Sequence, residues 1–182
     1  MTTNIGRDDS DASYRYKRPI LRLDYQGKGK NEKTIISNLD SLCKALHTIP
    51  IFIIKFMAYY HATQSIFDGE NKIGGLKGHH SFDSVNDSLN EYIQIYIICN
   101  VCKDPELNLE VHKNTIYKNC NACGAFIPLM NGIDKLDKFI IQHPPPKFKL
   151  RSKPQKFVVT SESLQTTTNE CEIITQDELD DI

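Results

Sequence analysis

The sequence contains no tryptophan and only 3 methionines. It also has no apolar run near the ~20 residues that a membrane span requires. The two longest, Ile49 to Met57 and Ile93 to Ile98, are short or are interrupted by a charge. No membrane association is expected. The opening residues, Met1 to Asp9, lack a basic segment followed by an apolar one. A secretory signal is therefore not expected, and a cytoplasmic location is. Lys and Arg are absent beyond Lys156, where Glu162, Glu170, Glu172, Asp177, Glu178, Asp180 and Asp181 follow. The front is the reverse, with Arg15, Lys17, Arg18, Arg22, Lys28, Lys30 and Lys33 crowded together. The net charge of −1 thus conceals a basic front and an acidic end, and local sign is the better guide to partners.

What is present is an ordinary globular composition, 40% hydrophobic and 25% charged over 182 residues. That suffices for one small domain with a satellite module and a tail. Residues 1–13 are polar and aperiodic and predict a flexible, extended arm. Leu21, Leu23 and Tyr25 alternate with Arg22 and Asp24 as in a strand. Gln26 to Asn31 turns the chain on two glycines, and a second strand is expected over Lys33 to Ser37. Asn38 fits a helix N-cap ahead of Leu39, Leu42, Cys43 and Leu46. Pro50 can open a further helix through Tyr60. Phe82, Val85, Leu89, Tyr92 and Tyr96 recur at helical spacing and lead to Cys99. Ile133, Leu136, Phe139 and Ile140 predict one more amphipathic helix, stopped by Pro144 and Pro145. The residues after it lack the apolar content to offset ordering entropy, so a disordered tail is expected.

Four of the 6 cysteines form two Cys-x-x-Cys pairs, Cys99 with Cys102 and Cys120 with Cys123. In a reducing compartment this spacing favours a metal over disulfides. Each pair chelates from one tight turn, and four thiolates complete a closed tetrahedron around a single structural Zn2+. Asn121 and Gly124 are turn-permissive residues in the second knuckle. Cys43 falls on the apolar face of a helix, and His79 and His80 are expected to be surface or packing residues because the metal needs no further ligand.

Other stretches carry a resemblance. Arg7-Asp8, Tyr14-Arg15-Tyr16-Lys17-Arg18-Pro19, Gly27-Lys28-Gly29, Lys33-Thr34, Lys44-Ala45-Leu46, Lys55-Phe56 and Gly78-x-His80 read like successive parts of one family. So do Asp104-Pro105-Glu106 between the knuckles, Cys120-x-Ala122-Cys123-Gly124 and Lys135-Leu136-x-x-Phe139-Ile140. Over residues 1–146 the chain resembles the N-terminal half of eukaryotic translation initiation factor 5. A ribbon alone would be shared with the beta subunit of initiation factor 2, whereas the Tyr-Arg-Tyr-Lys opening is particular to factor 5.

The resemblance implies an α+β fold: an initiation-factor-1-like α/β domain over 1–95, a zinc ribbon with a short helix over 96–143, and the tail over 144–182. It implies a monomer that stimulates GTP hydrolysis by initiation factor 2 and contributes to start-codon selection, with no active site of its own. The implied partners are the gamma subunit of initiation factor 2 with GTP, initiator tRNA and the small ribosomal subunit. The family's essential arginine falls on Arg15, and two lysines tied to the same activity fall on Lys33 and Lys55. The loop Gly27, Lys28, Gly29 and Lys30 corresponds to one that approaches initiator tRNA.

Two departures from the family pattern favour a different reading, a competitor that occupies the factor 5 position without stimulating hydrolysis. The segment Met57 to His61 diverges, and the family's C-terminal helical-repeat domain has no counterpart here. A third departure sets an acid, Glu32, beside the basic loop.

Overall fold

The computed structural model describes residues 1–7, 11–69 and 73–145. The tail expected from 144 onward lies outside the described residues beyond Pro145. Four antiparallel strands form the main sheet in the order β3, β4, β6, β5, with β3 Leu23–Gln26, β4 Lys33–Ile36, β5 Ser65–Asp68 and β6 Ile73–Lys77. Ahead of it, β1 Thr2–Asn4 pairs antiparallel with β2 Lys17–Pro19. Residues 2–5 therefore depart from the extended arm expected of them. They return against β2, and Ile5 is buried in the main core, its amide donating to the Tyr16 carbonyl at 3.0 Å. Burial of one large aliphatic side chain supplies about 1.5–3 kcal/mol, enough to anchor such a short return.

The helices follow the apolar spacing. α1, Leu39–Leu46, buries Leu39, Leu42, Cys43 and Leu46, and stops where His47 turns left-handed at φ 50°. Asn38 occupies the N-cap position but does not cap: its Oδ1 accepts from the Arg22 amide and its Nδ2 donates to the Ile20 carbonyl. It ties the start of the helix to the lead-in of β3. α2, Pro50–Tyr60, begins with proline at its first position after an extended Ile49, where the missing N–H costs nothing. It is apolar on nearly every side, with Phe52, Ile53, Ile54, Phe56, Met57 and Ala58 all buried. It is accordingly the central helix, packed against β5 and β6 on one side and α3 and α4 on the other. Gly74 allows that approach, since a Cβ there would run into Ile54 and Leu39. α1 and α2 meet at 104°, and no single described helix is long and apolar enough to cross a membrane.

α3, Phe82–Tyr92, is capped by the Ser81 Oγ, which accepts from the Ser84 amide. It continues into a π-helical turn, Ile93–Ile97, closed by the Ile98 amide on the Ile93 carbonyl at 2.9 Å. Tyr92 and Tyr96 stack at 5.2 Å, both edge-on to Phe56. The second sheet runs β7 Leu107–His112, β8 Thr115–Cys120, β9 Phe126–Pro128. Its first hairpin turns on Lys113 and Asn114, both with positive φ, as a two-residue turn demands.

α4, Asp134–Gln142, closes the described chain. The boundary expected at 95/96 falls inside the π-helical turn, and Ile116, Leu136 and Ile140 from beyond it enter the same core as α1 to α3. Tyr96 fastens the junction: its hydroxyl donates to Asp137 Oδ1 at 2.8 Å and accepts from the Ile133 amide at 2.9 Å. Burial holds the Asp137 carboxyl above its usual range even with that hydroxyl drawing it down. Tyr96→Phe should therefore lower unfolding stability by about 1–3 kcal/mol, because two partly buried groups lose their partner. A urea midpoint unchanged from wild type would contradict this.

Candidate metal centre and its basic surroundings

Both cysteine knuckles are built by one backbone pattern. In the first, the Lys103 amide donates to the Cys99 carbonyl at 3.0 Å and the Cys99 amide to the Asp104 carbonyl at 3.0 Å. In the second, the Gly124 amide donates to the Cys120 carbonyl at 2.9 Å and the Cys120 amide to the Ala125 carbonyl at 2.9 Å. The left-handed residue each turn needs is Lys103 at φ 64° and Gly124 at φ 73°. Asn121, expected to ease the second turn, keeps a negative φ; its amide donates to the Glu106 carbonyl at 2.9 Å. The π-helical turn ends just before Cys99, so the first knuckle starts from buried backbone.

The four Sγ atoms lie within 4.8 Å of one another, with Cys99 and Cys123 3.7 Å apart and Cys102 and Cys120 3.6 Å apart. Zn–S bonds of about 2.3 Å in a tetrahedron demand sulfur separations of about 3.8 Å. The residues present fit one tetrahedral thiolate-bound metal ion. Burial pushes the Cys120 and Cys102 thiols up. Burial also acts on Cys99, but amide hydrogen bonds from Cys102 and Val101 outweigh it and bring the thiol down. Lys118 is 1% exposed and donates to Asn100 Oδ1 at 3.2 Å. Burial lowers its pKa, while the nearby Cys99 thiolate opposes that shift.

The N-terminal segment is clasped to this ribbon by two parallel arrangements. Arg7 lies over the Tyr14 ring at 4.6 Å and pairs with Asp104 at 3.3 Å. Arg15 lies over the Tyr16 ring at 4.6 Å and pairs with Glu106 at 3.4 Å, and the Tyr16 hydroxyl donates to the same Glu106 oxygen at 2.6 Å. Burial and that carboxylate push the Tyr16 phenol up to about 12. The acids of Asp104-Pro105-Glu106 thus meet Arg7 and Arg15 of the opening segment, a role that nothing in the tripeptide's own sequence indicates. The Arg15 side chain remains 76% exposed, so its ion pair contributes at most ~1 kcal/mol and releases readily.

Lys33 and Lys55 sit elsewhere. Lys33 is exposed at the start of β4, opposite Gln26 on β3 and Lys77 on β6. Lys55, on α2, lies over the Phe139 ring of α4 at 4.4 Å. Arg15, Lys33 and Lys55 are not joined by any hydrogen bond or ion pair among the described residues. Lys28 and Lys30 are exposed around a 3-10 turn, Gly29–Asn31, and share their edge with Lys33 and Lys77. Gly27, at φ +84°, is required there because a Cβ would strike the Asn31 carbonyl oxygen. Glu32 is turned away from the loop tip toward His79 at 3.3 Å, and His79 in turn stacks on Tyr25. Lys77 and His79 are additions to the basic edge that the sequence does not signal, since its two glycines disguise β6 as a turn.

Residues 6–126 match the family model for a domain found in initiation factors 2B and 5. The chain belongs to this family. Among curated relatives, eukaryotic translation initiation factor 5 of Caenorhabditis elegans is 35% identical over 145 residues, 80% of this chain and 33% of that protein. The Mus musculus factor is 35% identical over 147 residues, 80% of the chain and 34% of the relative. The probable factor 5 of Schizosaccharomyces pombe is 33% identical over 150 residues, 81% and 38% respectively. The resemblance to the N-terminal region of initiation factor 5 is borne out, and the chain spans about a third of the length of these family members.

Proposed function

We propose that the chain is a translation initiation factor module that stimulates GTP hydrolysis by initiation factor 2 and contributes to start-codon selection. It acts in trans on the gamma subunit, beside initiator tRNA on the small ribosomal subunit. The observation that carries this reading is the presentation of Arg15: exposed, stacked on Tyr16, and tethered by one weak ion pair to a metal-stabilised ribbon. Phosphoryl transfer spreads negative charge over the equatorial oxygens, and an arginine supplied in trans neutralises it, with gains of about 10^3 to 10^5 in GTPases. Glu106 keeps the guanidinium oriented until the more negative phosphate displaces it. One structural zinc ion, held by Cys99, Cys102, Cys120 and Cys123, keeps Glu106 and hence Arg15 in position. The edge of Lys28, Lys30 and Lys33 suits an RNA backbone, which it reads by charge and not by base.

The competitor reading keeps one supporting observation, that Arg15, Lys33 and Lys55 each have a separate setting instead of a shared one. A single-turnover GTP hydrolysis assay on reconstituted initiation complexes separates the two. Acceleration on adding the chain supports stimulation. Displacement of factor 5 without acceleration supports competition.

A further inference from the structure

The buried side of β8 runs Ile116, Lys118, Cys120, so a lysine stands where the two-residue period of the strand calls for an apolar side chain. Its cross-strand neighbours are both aliphatic, Leu109 on β7 and Ile127 on β9. Lys118 is nonetheless 1% exposed. An ammonium carries three N–H donors and no acceptor. Among the described residues its one hydrogen bond is to Asn100 Oδ1 at 3.2 Å, and no carboxylate pairs with it. A neutral carboxamide does not balance a charge, and a lysine buried this far ordinarily has an anionic partner because an unpaired one is so costly.

The cysteine centre is that anion. Asn100 directly follows Cys99 in the first knuckle, so its hydrogen bond holds the ammonium beside this ligand. No hydrogen bond joins Lys118 to a sulfur among the described residues, and the coupling runs through space. The Cys99 thiolate is the neighbour that favours the charge on Lys118, against burial and the repulsion of the exposed Lys103. The direct donor to the Cys99 Sγ is the Val101 amide at 3.4 Å. Four thiolates around one divalent ion leave about two negative charges uncompensated. A cation shielded from water acts on them far more strongly than one in solvent.

We propose that Lys118 is the counter-charge of the metal centre, a residue that binds no metal itself but offsets part of the negative charge on the four thiolates, strengthens metal binding and lowers the energy of the Cys99 sulfur electrons. The proposal rests on occupancy of the four cysteines by a metal ion and not on the GTPase reading.

The test uses the full chain in two measurements, Zn2+ affinity by competition with a chromophoric chelator and the absorption spectrum of the Co2+-loaded protein. Lys118→Met should weaken Zn2+ binding roughly tenfold or more, the range for partners just outside the ligand shell. The sulfur-to-cobalt charge-transfer absorption should move to longer wavelength, because electrons on the Cys99 sulfur rise in energy once the cation beside them is gone. The d–d bands, which report the tetrahedron, should stay in place. Lys118→Gln keeps an N–H donor and removes the charge alone, so it should reproduce both changes and serves where Lys118→Met fails to fold. Wild-type Zn2+ affinity in Lys118→Gln would overturn the proposal. So would weaker binding with an unmoved charge-transfer band, the result expected if Lys118 only fills space. Failure of the wild-type chain to bind Zn2+ would overturn the metal centre itself, and this role with it.

Discussion

Chelation of the metal is expected to open both cysteine knuckles and loosen that end of the β7–β9 ribbon while leaving the helical part of the molecule folded. The ribbon's own buried cluster consists of Cys99, Leu107 and Cys120, with Cys102, Cys123 and Ala125 half-buried around it. Four of these six residues are the metal ligands. Remove the ion and the cysteine end of the sheet keeps little apolar surface of its own, while the far end stays anchored through Ile116 in the main core, so the metal's binding free energy, about 10–16 kcal/mol for structural zinc, becomes folding free energy of the knuckle end. The core of α1, α2 and α3 does not rest on the ion, because Phe52, Phe56, Val85, Leu89 and Tyr92 belong to a different buried cluster from the one around the cysteines. One equivalent of Zn2+ should be released to a strong chelator. Four thiols should then become open to alkylation, and most of the helical circular dichroism should persist. Thiols that stay protected in protein shown to be metal-free would contradict this.

Much of the fold is legible in the sequence because the apolar spacing is unambiguous. Leu39, Leu42, Cys43 and Leu46 mark the buried face of α1, and Pro50 fixes the start of α2 through its missing N–H. The cysteine spacing likewise marks the metal site, since chelation from two tight turns leaves few alternatives. Outside the ribbon four strands, β1, β2, β5 and β6, escape notice, and for two of them the physical reason is plain. β6 contains Gly74 and Gly75, which read as a turn, yet these glycines are there because Ile54, Leu39 and the Thr34 carbonyl come too close for a side chain. β1 is only Thr2–Asn4, too short and polar for any period, and is held through long-range pairing with Lys17–Pro19. Long-range contact also hides the clasp. Nothing local in Asp104-Pro105-Glu106 announces that its acids meet Arg7 and Arg15, about ninety residues earlier in the chain.

Loss of the Arg15 guanidinium is expected to have the largest functional effect of any single substitution. Arg15→Ala removes a side chain that is 76% exposed and whose only ion pair among the described residues is with Glu106, so stability should stay within about 0.5 kcal/mol of wild type and metal content should be unchanged. Stimulation of GTP hydrolysis should fall by about 10^3-fold or more, following the magnitude for arginines supplied in trans. Arg15→Lys should restore little, since a compact ammonium cannot reproduce the planar fork that spans two phosphoryl oxygens. If Arg15 instead only holds RNA, lysine should substitute well and the defect should appear as salt-sensitive binding. The single-turnover rate of GTP hydrolysis at saturating Arg15→Ala chain is the direct measurement. The account predicts a rate close to that without the chain, and a wild-type rate would contradict it.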